Sequence, residues 1–119
     1  MPILDVEVVA DSVPAGVARA LADAAGAVFG SPAGQTWVRL RHLPPALYAE
    51  NGADVPSDGA PVFVTVTKRA LPAPAVLVQE IDALTHAIAG VVGRSPRRVH
   101  VQYAPAALGR MAFGGVLVE

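Results

Sequence analysis

The chain has 119 residues, a net charge of −1 and no cysteine. Disulfides and thiolate metal sites are thereby excluded, and no electrostatic reason remains to expect nucleic acid. Hydrophobic residues make up 53% and charged residues only 16%. A small monomer usually carries about 25–35% charged residues on its surface, so part of the apolar surface is expected to be buried against other chains.

A single domain over residues 1–119 is the expectation for this length. Pro2 to Val9 alternates, with Leu4, Val6 and Val8 on one face and Ile3, Asp5 and Glu7 on the other, which is a strand. Asp5 and Glu7 interrupt the apolar run and no basic segment precedes it. No signal peptide is read there, and the expected location is the cytoplasm. Asp11-Ser12-Val13-Pro14 then predicts a helix start, with Ser12 as N-cap and Pro14 in the first turn. Val17, Leu21, Ala24 and Val28 follow at helical spacing, and Gly30-Ser31-Pro32 ends the helix. A second strand is expected from Gln35 to Leu43, with Val38, Leu40 and His42 on one face and Trp37, Arg39 and Arg41 on the other. Residues 44–60 read as loop, with Asn-Gly and Pro-Ser-Asp-Gly turn signals.

The pattern then recurs. Pro61 to Lys68 predicts a strand, Pro72-Ala73-Pro74 opens a helix with Leu77, Ile81, Leu84 and Ile88 on one stripe, and Arg98 to Tyr103 predicts the last strand. Gln79, Glu80, Asp82 and His86 break the apolar stretch near 71–92, so no membrane span is expected. Landmarks repeat at a nearly constant displacement: Pro2 is answered by Pro61, Pro14 by Pro74, and Arg39 by His100. Two pseudo-repeats, 2–60 and 61–119, imply an α/β fold. Two parallel strand pairs share one four-stranded mixed sheet, with both helices on one face. The uncovered face would carry Asp5, Glu7, Trp37, Arg39, Arg41, Thr65, Thr67, His100 and Gln102, a mixture suited to meeting other subunits or lining a ligand-filled interior.

The doubled β-α-β unit, Pro2 after the initiator Met, "SPRRVHVQY" at 95–103 and "AFGG" at 112–115 resemble the tautomerase superfamily. That superfamily includes 4-oxalocrotonate tautomerase and macrophage migration inhibitory factor. The resemblance implies that Pro2, freed of Met1, is a general acid or base acting through its secondary amine. An ordinary α-amino group has a pKa of about 7.7–8, and an apolar pocket near cations lowers it. Such a base can move a proton on a carbon beside a carbonyl. The resemblance further implies keto–enol or double-bond isomerisation of a small 2-oxo acid by a homotrimer, without a cofactor.

The bland reading of Pro2 is an edge-strand start that donates no hydrogen bond. Arg39 falls where an oxalocrotonate tautomerase arginine would lie; it either binds a carboxylate or enolate oxygen or pairs with Asp5 or Glu7. Arg69 aligns with an arginine of the malonate semialdehyde decarboxylase branch, or is an exposed turn residue. His100 and Gln102 match a tyrosine and an asparagine that line the migration inhibitory factor site; an interface histidine is the other reading. Met111 and Phe113 either wall the site or pack the core. Gln35 stands where the decarboxylase branch carries an Asp, and Phe113 lies near the Glu of the cis-haloacrylate dehalogenase branch. Both departures favour isomerisation over hydration. Ser31 replaces a lysine of the cytokine-like group. Lys68 and His86 are expected in solvent and His42 at a satisfied strand end. Arg94, Arg97 and Arg98 follow a helix end, where cations suit the dipole. Three scattered histidines do not argue for a metal.

Overall fold

Alternation in the first strand decides the layering. β1 (Ile3–Val9) turns Leu4, Val6 and Val8 inward, and all three are buried. It is followed by α1 (Val17–Phe29), β2 (Trp37–Leu43), β3 (Val62–Thr67), α2 (Pro74–Val92), β4 (Val99–Tyr103) and a short hairpin, β5 (Ala112–Phe113) with β6 (Val116–Leu117). The computed structural model describes residues 1–55 and 59–119. Pro56, Ser57 and Asp58 of the expected Pro-Ser-Asp-Gly turn lie outside the described residues.

The sheet order is β2-β1-β3-β4, with β1–β2 and β3–β4 parallel and β1–β3 antiparallel. Val62, Val64 and Val66 extend the buried row of β1, and Leu21 and Ala25 of α1 and Leu84, Ile88 and Ala89 of α2 close over it. Fully burying one such aliphatic side chain is worth about 1.5–3 kcal/mol, so this row outweighs any surface contact. Both helices cover the same face, and the expected tandem α/β architecture is borne out. α2 has the length and mean hydropathy (1.4) of a membrane-spanning helix, but its stripe of Leu84 and Ile88 is committed to this core.

Three local expectations are corrected. α1 starts at Val17 and not near Ser12, because Gly16 adopts φ +88°, a left-handed conformation that no right-handed helix admits. The buried member of its stripe is Ala25 and not Ala24. Lys68 is not in solvent: its ammonium donates to Glu80 at 2.8 Å and lies 5.0 Å from the centre of the Phe29 ring. His42 keeps the parity of Val38 and Leu40 opposite Val8 and is a satisfied strand-end residue as expected, exposed with Nδ1 3.2 Å from the Ala10 carbonyl. His86 is exposed, as expected.

The repeat also has a different register from the one expected. The glycines that end the two helices, Gly30 and Gly93, lie further apart in sequence than the prolines that precede them, Pro14 and Pro74. The extra length falls in α2, so Ile3 lies opposite Trp37 while Phe63 lies opposite His100. Trp37, and not Arg39, is the counterpart of His100, and Arg39 corresponds to Gln102. Pro2 shares the parity of Leu4 and matches Val62, not Pro61. At that second end Arg94 reaches back from the close of α2, its guanidinium donating to the Ala60 and Val9 carbonyls.

Lys68, Glu80 and Tyr103 form one partly buried cluster, with the Tyr103 hydroxyl donating to Glu80. Burial, and then the hydrogen bond to Glu80, hold the Tyr103 phenol well above its usual pKa of 10.0. The folded chain therefore keeps this proton more tightly than the unfolded chain, and the stability it confers is fully present below pH 10.0 and falls as pH rises beyond it. Denaturant unfolding of the native protein and Tyr103→Phe across this range should show a shallower alkaline loss in the variant; equal slopes would exclude the linkage.

Candidate active site

The antiparallel register brings two distant parts of the chain to one end of the sheet. Ile3 lies opposite Thr67. Carrying that ladder outward sets Pro2 and Met1 beside Lys68 and Arg69. Pro2 is buried, and its carbonyl accepts the Trp37 amide at 3.0 Å, which anchors the start of β1 to β2. The Met1 ammonium donates to the Gln35 carbonyl at 2.8 Å. A cavity of about 470 Å³ opens at this end, lined by Met1, Gln35, Trp37, Arg69, Phe113, Val118 and Glu119.

Both repeats contribute to that cavity. Trp37 stands on β2 with its indole N–H donating to the Gly34 carbonyl at 2.9 Å, so its polar atom is satisfied outside the cavity. Phe113, on the terminal hairpin, meets the indole edge to face, with ring centres 5.2 Å apart. The hairpin is folded back to this place by Gly109 and Val118, whose amides donate to the Val118 and Met111 carbonyls. Arg69 supplies the cation; its Nε donates to the Glu119 backbone oxygen at 2.7 Å. Gln35 and Trp37 were not among the expected site residues. An exposed, β-sheet tryptophan beside a strand start was the available signal for the second of them.

The other expected site residues lie elsewhere in the chain. Arg39 makes a two-pronged contact with Asp5, at 2.7 and 2.8 Å, and Arg41 reaches the same carboxylate at 3.6 Å. Hydrogen bonding to Asp5, and then its charge, raises the Arg39 guanidinium above its ordinary range. Of the roles open to Arg39, the ion pair is the one seen. His100 and Gln102 line a separate depression of about 340 Å³ on the uncovered face, with Phe63 and Thr65. His100 stacks at a tilt on Phe63, with ring centres 5.7 Å apart, and Gln102 donates to the Thr65 hydroxyl at 3.2 Å. Met111 is half-buried at the base of the hairpin, where its carbonyl accepts from Val118. Within one chain, Arg69 and Phe113 of the expected set line the cavity, Pro2 lies buried beside it through Met1, and Arg39, His100 and Gln102 stay on the open sheet face.

No family model matches the chain, and no curated protein sequence matches it. Solved structures do. A fused 4-OT, the 4-oxalocrotonate tautomerase, solved as a symmetric trimer superposes with a TM-score of 0.77 at 22% identity, covering 98% of this chain and 94% of that one. This is the tautomerase-superfamily fold. Macrophage migration inhibitory factor from Oncomelania hupensis has it too, with a TM-score of 0.73 at 21% identity over 100% of this chain and 83% of the other. A malonate semialdehyde decarboxylase gives 0.69 at 23% identity, over 94% and 90%. The tautomerase fold thus spans several activities among its similar structures, and identities of this size carry the architecture alone.

Proposed function

We propose that this chain, once Met1 is removed, is a tautomerase that uses the Pro2 amine to move a proton on a small 2-oxo acid. The observation that carries the reading is the cavity itself: the residue attached to the Pro2 nitrogen lines it, together with Arg69. With Met1 in place that nitrogen is a tertiary amide without a basic lone pair. Freed, it becomes a secondary amine at an end walled by Trp37 and Phe113, where an apolar surround lowers an amine pKa toward neutrality. Arg69 exchanges its bond to the Glu119 backbone for the substrate carboxylate or the enolate oxygen. The charge that develops on the enolate then meets a fixed cation, and no cofactor is required.

A decarboxylase, hydratase or dehalogenase that uses the same amine is the second reading. Arg69 at the cavity favours it, through its alignment with the decarboxylase-branch arginine; Gln35 in place of that branch's Asp weighs against it. A non-catalytic binding protein on the same scaffold is the remaining alternative, and turnover separates it from both.

Assembly belongs to the same proposal. The uncovered sheet face leaves Trp37 47% and Phe63 40% exposed, and the hairpin leaves Val116 71% exposed. A homotrimer buries this face and pairs the free edges of β2 and β4, setting His100 and Gln102 against a neighbouring copy.

Three measurements test these points. Intact mass of an active, untagged sample should lack Met1, and Pro2 should tolerate Ala partly but not acylation of its nitrogen; activity with Met1 retained refutes the amine. Ketonisation kinetics of an enol 2-oxo acid should show Arg69→Ala losing roughly 30- to 1000-fold in kcat/KM, the size of a lost charged contact to the transition state, and Arg39→Ala losing less. Equal losses would move the anion site. Light scattering should give three chains per particle at micromolar concentration, and a stable monomer would rule the assembly out.

A further inference from the structure

We propose that Lys68 and Glu80, joined by Tyr103, form a charge-balanced unit behind Pro2 that governs when the freed prolyl amine carries its proton. The inference rests on the proposed use of that amine and assigns three positioning residues to it. Two observations carry it.

The first is register. Ile3 lies opposite Thr67 on antiparallel strands, so the next pair outward is Pro2 and Lys68. Residues directly opposite one another have Cβ atoms about 4.5–5.5 Å apart. Pro2 keeps the parity of Leu4 and Lys68 that of Val66, which places both on the helix-facing side of the sheet. Pro2 is buried there. The Lys68 ammonium donates to Glu80 at 2.8 Å and lies over the Phe29 ring, and the Tyr103 hydroxyl donates to the same carboxylate. The exits of β3 and β4 and the first turns of α2 therefore converge behind the start of β1.

The second is charge. The Lys68 and Glu80 side chains are only 21% and 12% exposed, so water and salt screen this pair less than the exposed Arg39–Asp5 pair. Tyr103 stays neutral, because burial and then the hydrogen bond to Glu80 raise its pKa above the ordinary phenol value. One positive and one negative charge remain, and they oppose each other at the amine. Arg69 and Glu119 are the charged groups on the cavity side. β2 brings Gln35 and Trp37 and α1 brings Phe29, all uncharged. Asp5, on the other face of β1, is paired with Arg39 and Arg41. With Glu80 in place, Lys68 adds little to the field at Pro2. Without Glu80, the ammonium disfavours a second cation beside it.

The Met1-free protein, carrying isotope-labelled proline, reports this directly by nitrogen magnetic resonance. Every other prolyl nitrogen is an amide and does not titrate. One unbalanced charge on a neighbouring strand, at an effective dielectric constant of about 20, shifts an amine pKa by roughly one unit. Glu80→Gln should lower the midpoint of the Pro2 titration by about that much, and Lys68→Met should raise it. The double variant should return to within about 0.3 unit of the native midpoint. Tyr103→Phe removes a hydrogen bond but no charge, and should stay there too. A merely structural role would not produce opposite signs. Each single variant tests its own sign, so loss of fold in one, seen by circular dichroism, leaves the other decisive. With the amine as base, the acid limb of the kcat/KM profile should move down in Glu80→Gln and up in Lys68→Met. Opposite shifts without turnover support this inference and refute the catalytic proposal. Turnover with unmoved midpoints, or shifts of one sign in both single variants, overturns the inference alone. A Met1-free sample with no titrating prolyl nitrogen refutes both.

Discussion

The antiparallel pairing of β1 on β3 is the constraint on which the rest depends. Each repeat alone is a parallel strand pair with one helix, too small to bury its own apolar row. Joining the two at their first strands lines Leu4, Val6 and Val8 up with Val66, Val64 and Val62 and gives both helices one continuous floor. The same pairing decides which residues meet at the cavity. Because the strands run in opposite directions, the beginning of β1 meets the exit of β3, and Arg69 arrives beside Met1 and Pro2 from the other half of the chain.

Charge is distributed by environment around that junction. Lys68 and Arg69 are neighbours in sequence but serve different layers. Lys68 turns to the helix side, where Glu80, Tyr103 and the Phe29 ring receive it, and Arg69 turns to the cavity. Lys68 thereby pins the strand exit that carries Arg69, and the adjoining backbone is held as well, since Lys68 and Arg69 carbonyls accept the Ala107 and Leu108 amides. On the opposite face Asp5 gathers Arg39 and Arg41. Exposed pairs of this kind contribute little to stability, so their effect is on availability. Arg39 is held at two prongs by a carboxylate, and Arg69 through Nε by the Glu119 backbone oxygen.

The architecture was legible because period-2 and period-3.6 patterns are written by burial, and burial is what the sheet and helices enforce. Leu21, Leu84, Ile88 and the inward valines Val6, Val8, Val62, Val64 and Val66 sit where these periods put them, whereas Ile3 and Val9, of the opposite parity, are buried as well. Boundaries were less legible. Pro14 read as a first-turn residue, but Gly16 two positions later is left-handed and delays α1. The register of the repeat was misread for a related reason: matching prolines at 2 and 61 suggested equivalence, whereas side-chain parity pairs Pro2 with Val62 and the longer α2 shifts everything after it. Arg39 and His100 therefore looked like partners in one site when Trp37 and His100 hold the matching places. Pair geometry such as Asp5–Arg39 depends on which strand lies alongside, which no local pattern states. The aromatic corner escaped notice because Trp37 and Phe113 belong to different repeats and meet only when the terminal hairpin folds back.

The two ends of the sheet are alike in backbone and unlike in what they leave open. At one end Pro2 sits next to a cavity. At the other, Val62 holds the matching place, its nitrogen is an in-chain amide, and Arg94 closes the end by clasping the Ala60 and Val9 carbonyls. The repeat is two-headed in form and single-headed in chemistry. Any process that requires a free prolyl nitrogen is limited to one site per chain, however many copies assemble, and saturating occupancy counts chains instead of repeats.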